Sequence, residues 1–286
     1  MPEYTWIVEP LPFEEGLADV LAAWRRHGLA SGHSERTITS RAYTIRTLAR
    51  SGVEPLTATR EQLTDWLATL PLERSSMATY RAQLRAFYAW LLDTGRRHDD
   101  PSAKVPGPRV TQGVPRPLSP SQVDAVLAAC ADPRARKTRA YFILACYAGL
   151  RVHEIAKIRG EDIRGDELLV RGKGGSTASV PMHQMVAALA ETMPKGGWWF
   201  PTDSASGHVH RCSVSSAIKR AMVRAGVPGT PHAARHHYGT QVLRASGGDL
   251  RTTQRALRHK SVQTTAIYTQ VPDDALRRAI LGIPAA

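Results

Sequence analysis

The chain has 286 residues, 42% of them hydrophobic, which is enough for one large domain or two ordinary domains with separate cores. Its 38 Lys and Arg outnumber its 25 Asp and Glu, and the excess lies in residues 101–286, which hold 26 basic and 12 acidic side chains. The three cysteines are far apart and form no CxxC, and no GxGxxG or Walker loop is present. These features argue against a disulfide framework, a zinc ribbon and nucleotide-driven chemistry.

The uneven basic charge predicts a polyanionic partner, and nucleic acid is the leading candidate, because phosphates bound by Lys and Arg release condensed counterions. The first stretch, "MPEYTWIVEPLPFEEG", has early acids and no basic segment before an apolar run. No window approaches the roughly eighteen uninterrupted apolar residues of a membrane span. We therefore expect a cytoplasmic protein with no membrane partner.

Four helices are predicted in the first hundred residues. The first covers "FEEGLADVLAAWRRHG", and the second, in "SERTITSRAYTIRTLARSG", ends at Gly52. The third helix, in "TREQLTDWLATL", begins with Thr59 as N-cap and Gln62 three residues later. The fourth covers "SSMATYRAQLRAFYAWLLDTG". The second and fourth helices have apolar stripes typical of core faces, which are Ile38, Ala42, Ile45 and Leu48, and Met77, Tyr80, Leu84, Phe87 and Leu91.

A break in this helical pattern divides the chain. Residues 104–118, "KVPGPRVTQGVPRPL", contain four prolines and two glycines and are predicted to be a linker. A new helix then begins in "LSPSQVDAVLAAC", with Ser119 as N-cap, Pro120 in the first helical position and Gln122 completing a capping box. We therefore predict a helical domain over residues 1–103 and a second domain over 119–286.

The second domain has one clear pair of strand signals. "ELLVRG" and "STASVPM" are joined through "KGG", in a tight turn whose tip carries Lys173. Most of the remaining segments have helical patterns. The predicted fold class is mainly α with a small antiparallel β-sheet.

The stretch "TPHAARHHYGT" concentrates three histidines and an arginine within six positions. If a helix begins at Pro231, His232 shares a face with either Arg235 or His236. One interpretation is a metal site, although HxxxH lacks an intervening glutamate and spacing fixes no third ligand, with only His208 and His210 nearby in sequence. The other is a set of donors for a phosphate group.

Two further stretches carry a family resemblance. "AGLRVHEIAKIRGEDI" places Arg151 just after a glycine turn, and "LRHKSVQTTAIYTQV" places His259 nine residues before Tyr268. Together with Lys173 and the histidine–arginine pair, these motifs resemble the tyrosine recombinase family, which includes the phage integrases and Xer-type resolvases. The resemblance covers Leu118 to Tyr268 and, more weakly, the four-helix segment, which looks like a core-DNA-binding domain. Two such domains are expected to clamp duplex DNA.

The resemblance implies a role for each matched residue. Tyr268 is the nucleophile, and Lys173 donates a proton to the departing 5′ hydroxyl. His232 assists proton transfer at Tyr268, and His259 donates to a non-bridging oxygen. Glu154, three residues after Arg151, orients that arginine or a histidine. The implied catalytic set is Arg151, Lys173, His232, Arg235, His259 and Tyr268, supported by Glu154.

The chemistry explains the need for two arginines. Attack of a tyrosine on a phosphodiester creates extra negative charge on the equatorial oxygens of a phosphorane. Guanidinium groups meet that charge with forked donors and keep their protons, so Arg151 and Arg235 suit a phosphate clamp better than lysines do. The implied product is a 3′-phosphotyrosyl bond that conserves the phosphodiester energy, so neither a metal nor another cofactor is expected.

Three features differ from the family pattern. Arg258 stands where relatives mostly have glycine before the histidine, and it is expected either to contact DNA or to be exposed. Ser176 and Ala178 occupy hairpin positions that are often basic in relatives. Only about a dozen residues precede the first helix, which predicts a two-domain enzyme without an arm-binding domain. The basic residues predicted to contact DNA are Arg81, Arg85, Lys104, Arg109, Arg116 and Arg258.

The predicted function is site-specific DNA recombination, with phage or mobile-element integration and excision preferred. The alternatives are Xer-like chromosome or plasmid dimer resolution, type IB topoisomerase activity, and a non-catalytic DNA-binding regulator. The implied partners are a double-stranded attachment or core site, other protomers in a homotetramer and a possible directionality factor, at the nucleoid of a bacterial host. The tail "VPDDALRRAILGIPAA" is predicted to form a short amphipathic helix that docks on a neighbouring protomer.

Overall fold

The computed structural model describes residues 16–108, 116–172 and 177–258. The chain divides into two units, Met1–Gln112 and Gly113–Ala286, and the division falls within the stretch predicted as a linker. The described residues are mostly helical and include a three-stranded antiparallel sheet. The predicted fold class, mainly α with a small antiparallel sheet, is therefore confirmed.

The described part of the first unit contains four helices, and the third begins at its predicted capping signal. The Ser34 side chain accepts a hydrogen bond from the backbone N–H of Thr37, and Thr59 and Gln62 form a reciprocal capping box. Gly52 follows the second helix with a φ of +88°, a conformation that glycine adopts without steric cost. The helices are α1 (Leu17–Ala30), α2 (Glu35–Arg50), α3 (Arg60–Thr69) and α4 (Arg74–Asp93).

Apolar faces of these helices form the core of the first unit. Trp24 of α1 packs edge-on against Phe87 of α4, with ring centroids 4.9 Å apart. The predicted stripes contribute Ile45, Leu48, Leu84, Phe87 and Leu91 as fully buried residues, whereas Ala42, Met77 and Tyr80 are only partly buried.

The second unit begins with the predicted capping box of Ser119 and Gln122 around Pro120. Residues 140–146 are all buried in α6, so this helix forms the centre of the second core. Helices α8, α9 and α10 all pack against α6. The helices are α5 (Pro120–Ala128), α6 (Arg136–Tyr147), α7 (Val152–Ile155), α8 (Gln184–Glu191), α9 (Arg211–Arg224), α10 (Pro231–Ala245) and α11 (Leu250–Leu257).

The sheet of the second unit has three strands in the order β1-β2-β3. The two predicted strands are β2 (Glu167–Arg171) and β3 (Thr177–Pro181), which pair antiparallel, with Arg171 opposite Thr177. The sequence did not predict β1 (Ile163–Arg164), because two residues are too few to show a period. No helix within the described ranges is long and apolar enough to cross a membrane.

Candidate active site

The short helix α7 orients the first candidate residue, Arg151. This residue is the N-cap of α7, with an extended backbone, and its N–H donates to Oε2 of Glu154 at 2.8 Å. The Arg151 guanidinium donates to Oε1 of the same carboxylate at 2.9 Å. The contact is thus a capping arrangement at the start of α7. It leaves the Arg151 side chain 35% exposed, while that of Glu154 is 2% exposed.

A glycine turn immediately before Arg151 connects α6 to α7. Gly149 has a φ of +57°, and a Cβ atom built on it would lie 2.3 Å from Cδ1 of Tyr238 in α10. Both the backbone conformation and the close approach therefore require glycine. The turn presents its carbonyl oxygen toward buried donors from α10 and from the end of α11.

Arg235 of α10 is one of these donors. Its guanidinium donates to the carbonyl oxygen of Gly149 and to that of Leu257, and its Nη1 lies 4.0 Å from Oε2 of Glu154. The side chain is 2% exposed. Arg235 therefore connects three segments that are distant in sequence, and its positive charge lies beside the carboxylate that fixes Arg151.

Arg258 is the second donor, although the sequence led us to expect DNA contact or exposure. Its Nη2 donates to Oε2 of Glu154 at 3.1 Å and to the carbonyl oxygen of Gly149 at 2.9 Å. The side chain is only 9% exposed, so the expectation of an exposed side chain is wrong. Its predicted contact with DNA stays a prediction.

The Glu154 carboxylate is therefore surrounded by the guanidiniums of Arg151, Arg235 and Arg258. Burial alone raises the pKa of Glu154, but the Arg258 charge, the Arg151 N–H and the other two arginine charges together lower it below its usual value. Glu154 is consequently ionised at neutral pH.

His232 and His236 lie on one face of α10, with ring centroids 4.3 Å apart. Desolvation, followed by the charges of Arg235 and Arg151, lowers the pKa of His232. Desolvation, His232 and Arg235 lower the pKa of His236 to about 4. Both imidazoles are thus neutral at pH 7, and His232 is exposed beside the arginines. In the described part of the chain, no group of three or more His, Cys, Asp or Glu could hold a metal ion.

Several predicted residues have no described position. Those that lie outside the described residues are Lys173, His259, Tyr268, Arg109 and the predicted tail helix. Among the other predicted DNA contacts, Arg85, Lys104 and Arg116 are exposed. The partly buried Arg81 uses its Nε to donate to the carbonyl oxygen of Val105 at 2.7 Å. These DNA contacts stay predictions.

Two contacts at this site were not predicted from the sequence. The carbonyl group of Gly149 is a shared acceptor for two arginines, and Tyr238 packs directly against that turn. A glycine two residues before a candidate arginine was the available signal for the turn. No local pattern indicates that the Arg258 guanidinium points inward, since Gly149 and Glu154, which it contacts, are more than a hundred residues away in sequence.

Comparison with known proteins places this geometry in a family. Residues 116–274 match the model of the phage integrase family. The chain is 32% identical over 268 residues to tyrosine recombinase XerD of Bradyrhizobium diazoefficiens, covering 82% of this chain and 84% of that protein. It is 30% identical over 259 residues to XerD of Caulobacter vibrioides, with the same coverage of 82% and 84%.

A solved structure supports the fold. A lambda integrase (75–356) dimer bound to a COC′ core site matches with a TM-score of 0.70 and 19% identity, covering 87% of this chain and 96% of that chain. At this identity, the likeness concerns the fold alone.

Proposed function

This chain belongs to the phage integrase family of tyrosine recombinases, enzymes that cleave and rejoin DNA strands, and from that premise we propose that it catalyses site-specific recombination through Tyr268. The attack of the Tyr268 hydroxyl on a phosphodiester forms a 3′-phosphotyrosyl bond and releases a 5′ hydroxyl. Attack by the 5′ hydroxyl of a second strand reverses the reaction on a new partner.

The observation that carries this proposal is the double hydrogen bond from Arg151 to Glu154, with Arg235 beside the same carboxylate. We call Arg151 and Arg235 the phosphate clamp. A preorganised pair of guanidiniums stabilises the charge that develops on a phosphorane without the cost of reorienting donors during the reaction. Arg151, at 35% exposure, is the member open to an incoming phosphate, whereas Arg235 is buried and held by backbone carbonyls.

The remaining roles concern proton transfer. The neutral, exposed His232 accepts the proton of the Tyr268 hydroxyl, because its lowered pKa keeps the imidazole unprotonated near pH 7. Lys173, in the connection between β2 and β3, protonates the leaving 5′ oxygen. His259, which follows Arg258, donates to a non-bridging oxygen. The exposed Arg85, Lys104 and Arg116 contribute to binding the DNA backbone.

For the biological role, we propose integration or excision of a phage or another mobile element by a tetramer on synapsed core sites. The support is that the motifs depart from the Xer pattern. Xer-type dimer resolution is the second candidate, because the XerD proteins are similar over 82% of this chain. Recombination between two direct repeats of the core site on one plasmid measures resolution. Recombination between a pair of plasmids that carry host and element attachment sites measures integration, and comparing the two separates the roles.

A nicked suicide duplex of the core site tests the chemical proposal. Strand cleavage beside the nick releases a short fragment, so the covalent intermediate accumulates. We expect a protein–DNA adduct in EDTA, and we expect the Tyr268→Phe variant to bind the duplex without forming it. Adduct formation by Tyr268→Phe would refute the assignment of the nucleophile. Relaxation of supercoiled DNA lacking the core site would instead favour a topoisomerase, and binding without any adduct would favour a regulator.

A further inference from the structure

Arg258 has an unusual backbone for its residue type. It forms the C-cap of α11 with φ +54° and ψ +42°, and within the described ranges it is the one residue other than glycine with a positive φ. The left-handed conformation is unfavourable for an L-residue, and glycine avoids this cost. A helix end alone does not require arginine, so the reason for this residue lies in its side chain.

The Arg258 side chain turns toward the protein interior. Besides the contacts with Glu154 and Gly149, its Nη1 donates to the carbonyl oxygens of Ala256 at 3.2 Å and Ala148 at 3.4 Å. Its Nε is buried and has no hydrogen-bond partner within the described residues. Burying an unsatisfied donor is a further cost. The charged contact with Glu154 is the interaction that offsets these two costs.

The contacts of Arg258 coincide with those of the phosphate clamp. Arg235 and Arg258 both donate to the Gly149 carbonyl, and both approach Oε2 of Glu154. Arg258 is the nearer of the two to Oε2, at 3.1 Å against 4.0 Å. With Oε2 held by Arg258, the other carboxylate oxygen is available to the Arg151 guanidinium.

We propose that Arg258 is a positioning residue for the phosphate clamp, an inference that rests on the proposed function. Its guanidinium holds the Glu154 carboxylate and the Gly149 carbonyl in the orientation that the clamp arginines need. Without it, Oε2 attracts Arg235 more strongly, and the geometry of both clamp arginines changes. Arg258 acts through these groups and not by touching the phosphate.

The test compares Arg258→Gly with the wild-type protein. Glycine keeps the left-handed C-cap and removes the whole side chain, including the guanidinium. The measurement is the first-order cleavage constant on the suicide duplex at saturating protein, where a loss of DNA affinity has no effect. Because a misplaced clamp weakens charge stabilisation, we expect cleavage to be about 10- to 100-fold slower. We expect Arg258→Lys to recover part of this loss, since lysine restores the charge without the fork.

A second substrate separates positioning from general structural damage. A methylphosphonate at the scissile position lacks the negative charge that the clamp neutralises. We expect the deficit of Arg258→Gly relative to wild type to shrink to within about threefold on this substrate. The melting temperature should stay within about 5 °C of the wild-type value. An equal deficit on both substrates, or loss of folding in both Arg258 variants, would show a purely structural role and overturn the inference.

Two control variants identify the source of a negative result. Arg255→Ala removes an exposed positive charge from the same helix, and it should cleave at the wild-type rate at saturation. Arg151→Ala tests the clamp itself. If Arg151→Ala cleaves normally, the proposed function fails. If Arg151→Ala is inactive while Arg258→Gly cleaves both substrates at the wild-type rate, the positioning role alone fails. If the defect of Arg258→Gly disappears at saturating protein, Arg258 contacts DNA instead, and this result would also overturn the positioning role.

Discussion

Arg235 and Arg258 donate hydrogen bonds to one carbonyl oxygen, that of Gly149. The two arginines come from different helices, and the shared acceptor lies two residues before Arg151. A single turn therefore fixes the relative positions of two buried cations and of the segment that carries the exposed clamp arginine. The conformation of this turn should control both stability and catalysis.

Gly149→Ala tests the turn. The new Cβ meets Tyr238 at 2.3 Å, and the φ of +57° is unfavourable for alanine, so we expect a loss of about 2–4 kcal/mol in unfolding free energy. DNA cleavage should fall as well, because the Gly149 carbonyl moves. Gly165→Ala is the matched control, since Gly165 has a φ of +62° with no atom within 4 Å of its Cβ position. A similar loss in both variants would mean that strain, and not the Tyr238 contact, accounts for the effect.

Glu154→Gln removes the charge at the centre of the arginine cluster and keeps the shape of the side chain. Because Arg235 and Arg258 then remain buried without a counter-ion, we expect about 3 kcal/mol of destabilisation and a cleavage rate at least about 100-fold lower. Urea unfolding and the suicide-duplex assay measure the two effects. Glu161→Gln breaks an exposed ion pair with Arg159 and should change neither quantity. A stable, fully active Glu154→Gln protein would contradict our account of the clamp.

The proton-donor role of Lys173 predicts a dependence on the leaving group. Lys173→Ala should cleave a normal phosphodiester poorly, because the departing 5′ oxygen needs a proton. A bridging 5′-phosphorothiolate releases a thiolate, which needs no proton, and cleavage of that substrate should recover toward the wild-type rate. Equal defects on the two substrates would remove Lys173 from this role.

The pKa of His236 predicts how stability varies with pH. Its folded-state value of about 4 lies below the usual 6.5, so the unfolded chain binds more protons between these values, and stability falls as the pH drops below 6.5. The contribution amounts to about 2 kcal/mol between pH 7 and pH 5. Urea unfolding at both pH values should show a smaller loss for His236→Gln than for wild type. Identical pH dependence in wild type and His236→Gln would contradict the lowered pKa.

The sequence by itself determined the local elements of this protein. The capping boxes at Thr59 and Ser119, the apolar stripe of α4 and the hairpin strands are all fixed by neighbours three, four or two residues apart. The order of motifs from Arg151 to Tyr268 also indicated the family, because tyrosine-mediated strand transfer needs these residue types. Such patterns are readable since they depend on backbone geometry and not on distant contacts.

Only the tertiary structure decided which groups meet at the site. The Gly149 carbonyl lies 86 residues from Arg235 and 109 from Arg258 in sequence, and packing of α6 against α10, and of α10 against α11, brings them together. Sequence spacing placed His232 and Arg235 on one helical face, yet Arg235 is buried and His232 is exposed. The same limit explains the wrong expectation for Arg258. A side chain's direction depends on which buried acceptors it can reach, because a charged group enters a low-dielectric interior only where partners compensate its lost hydration.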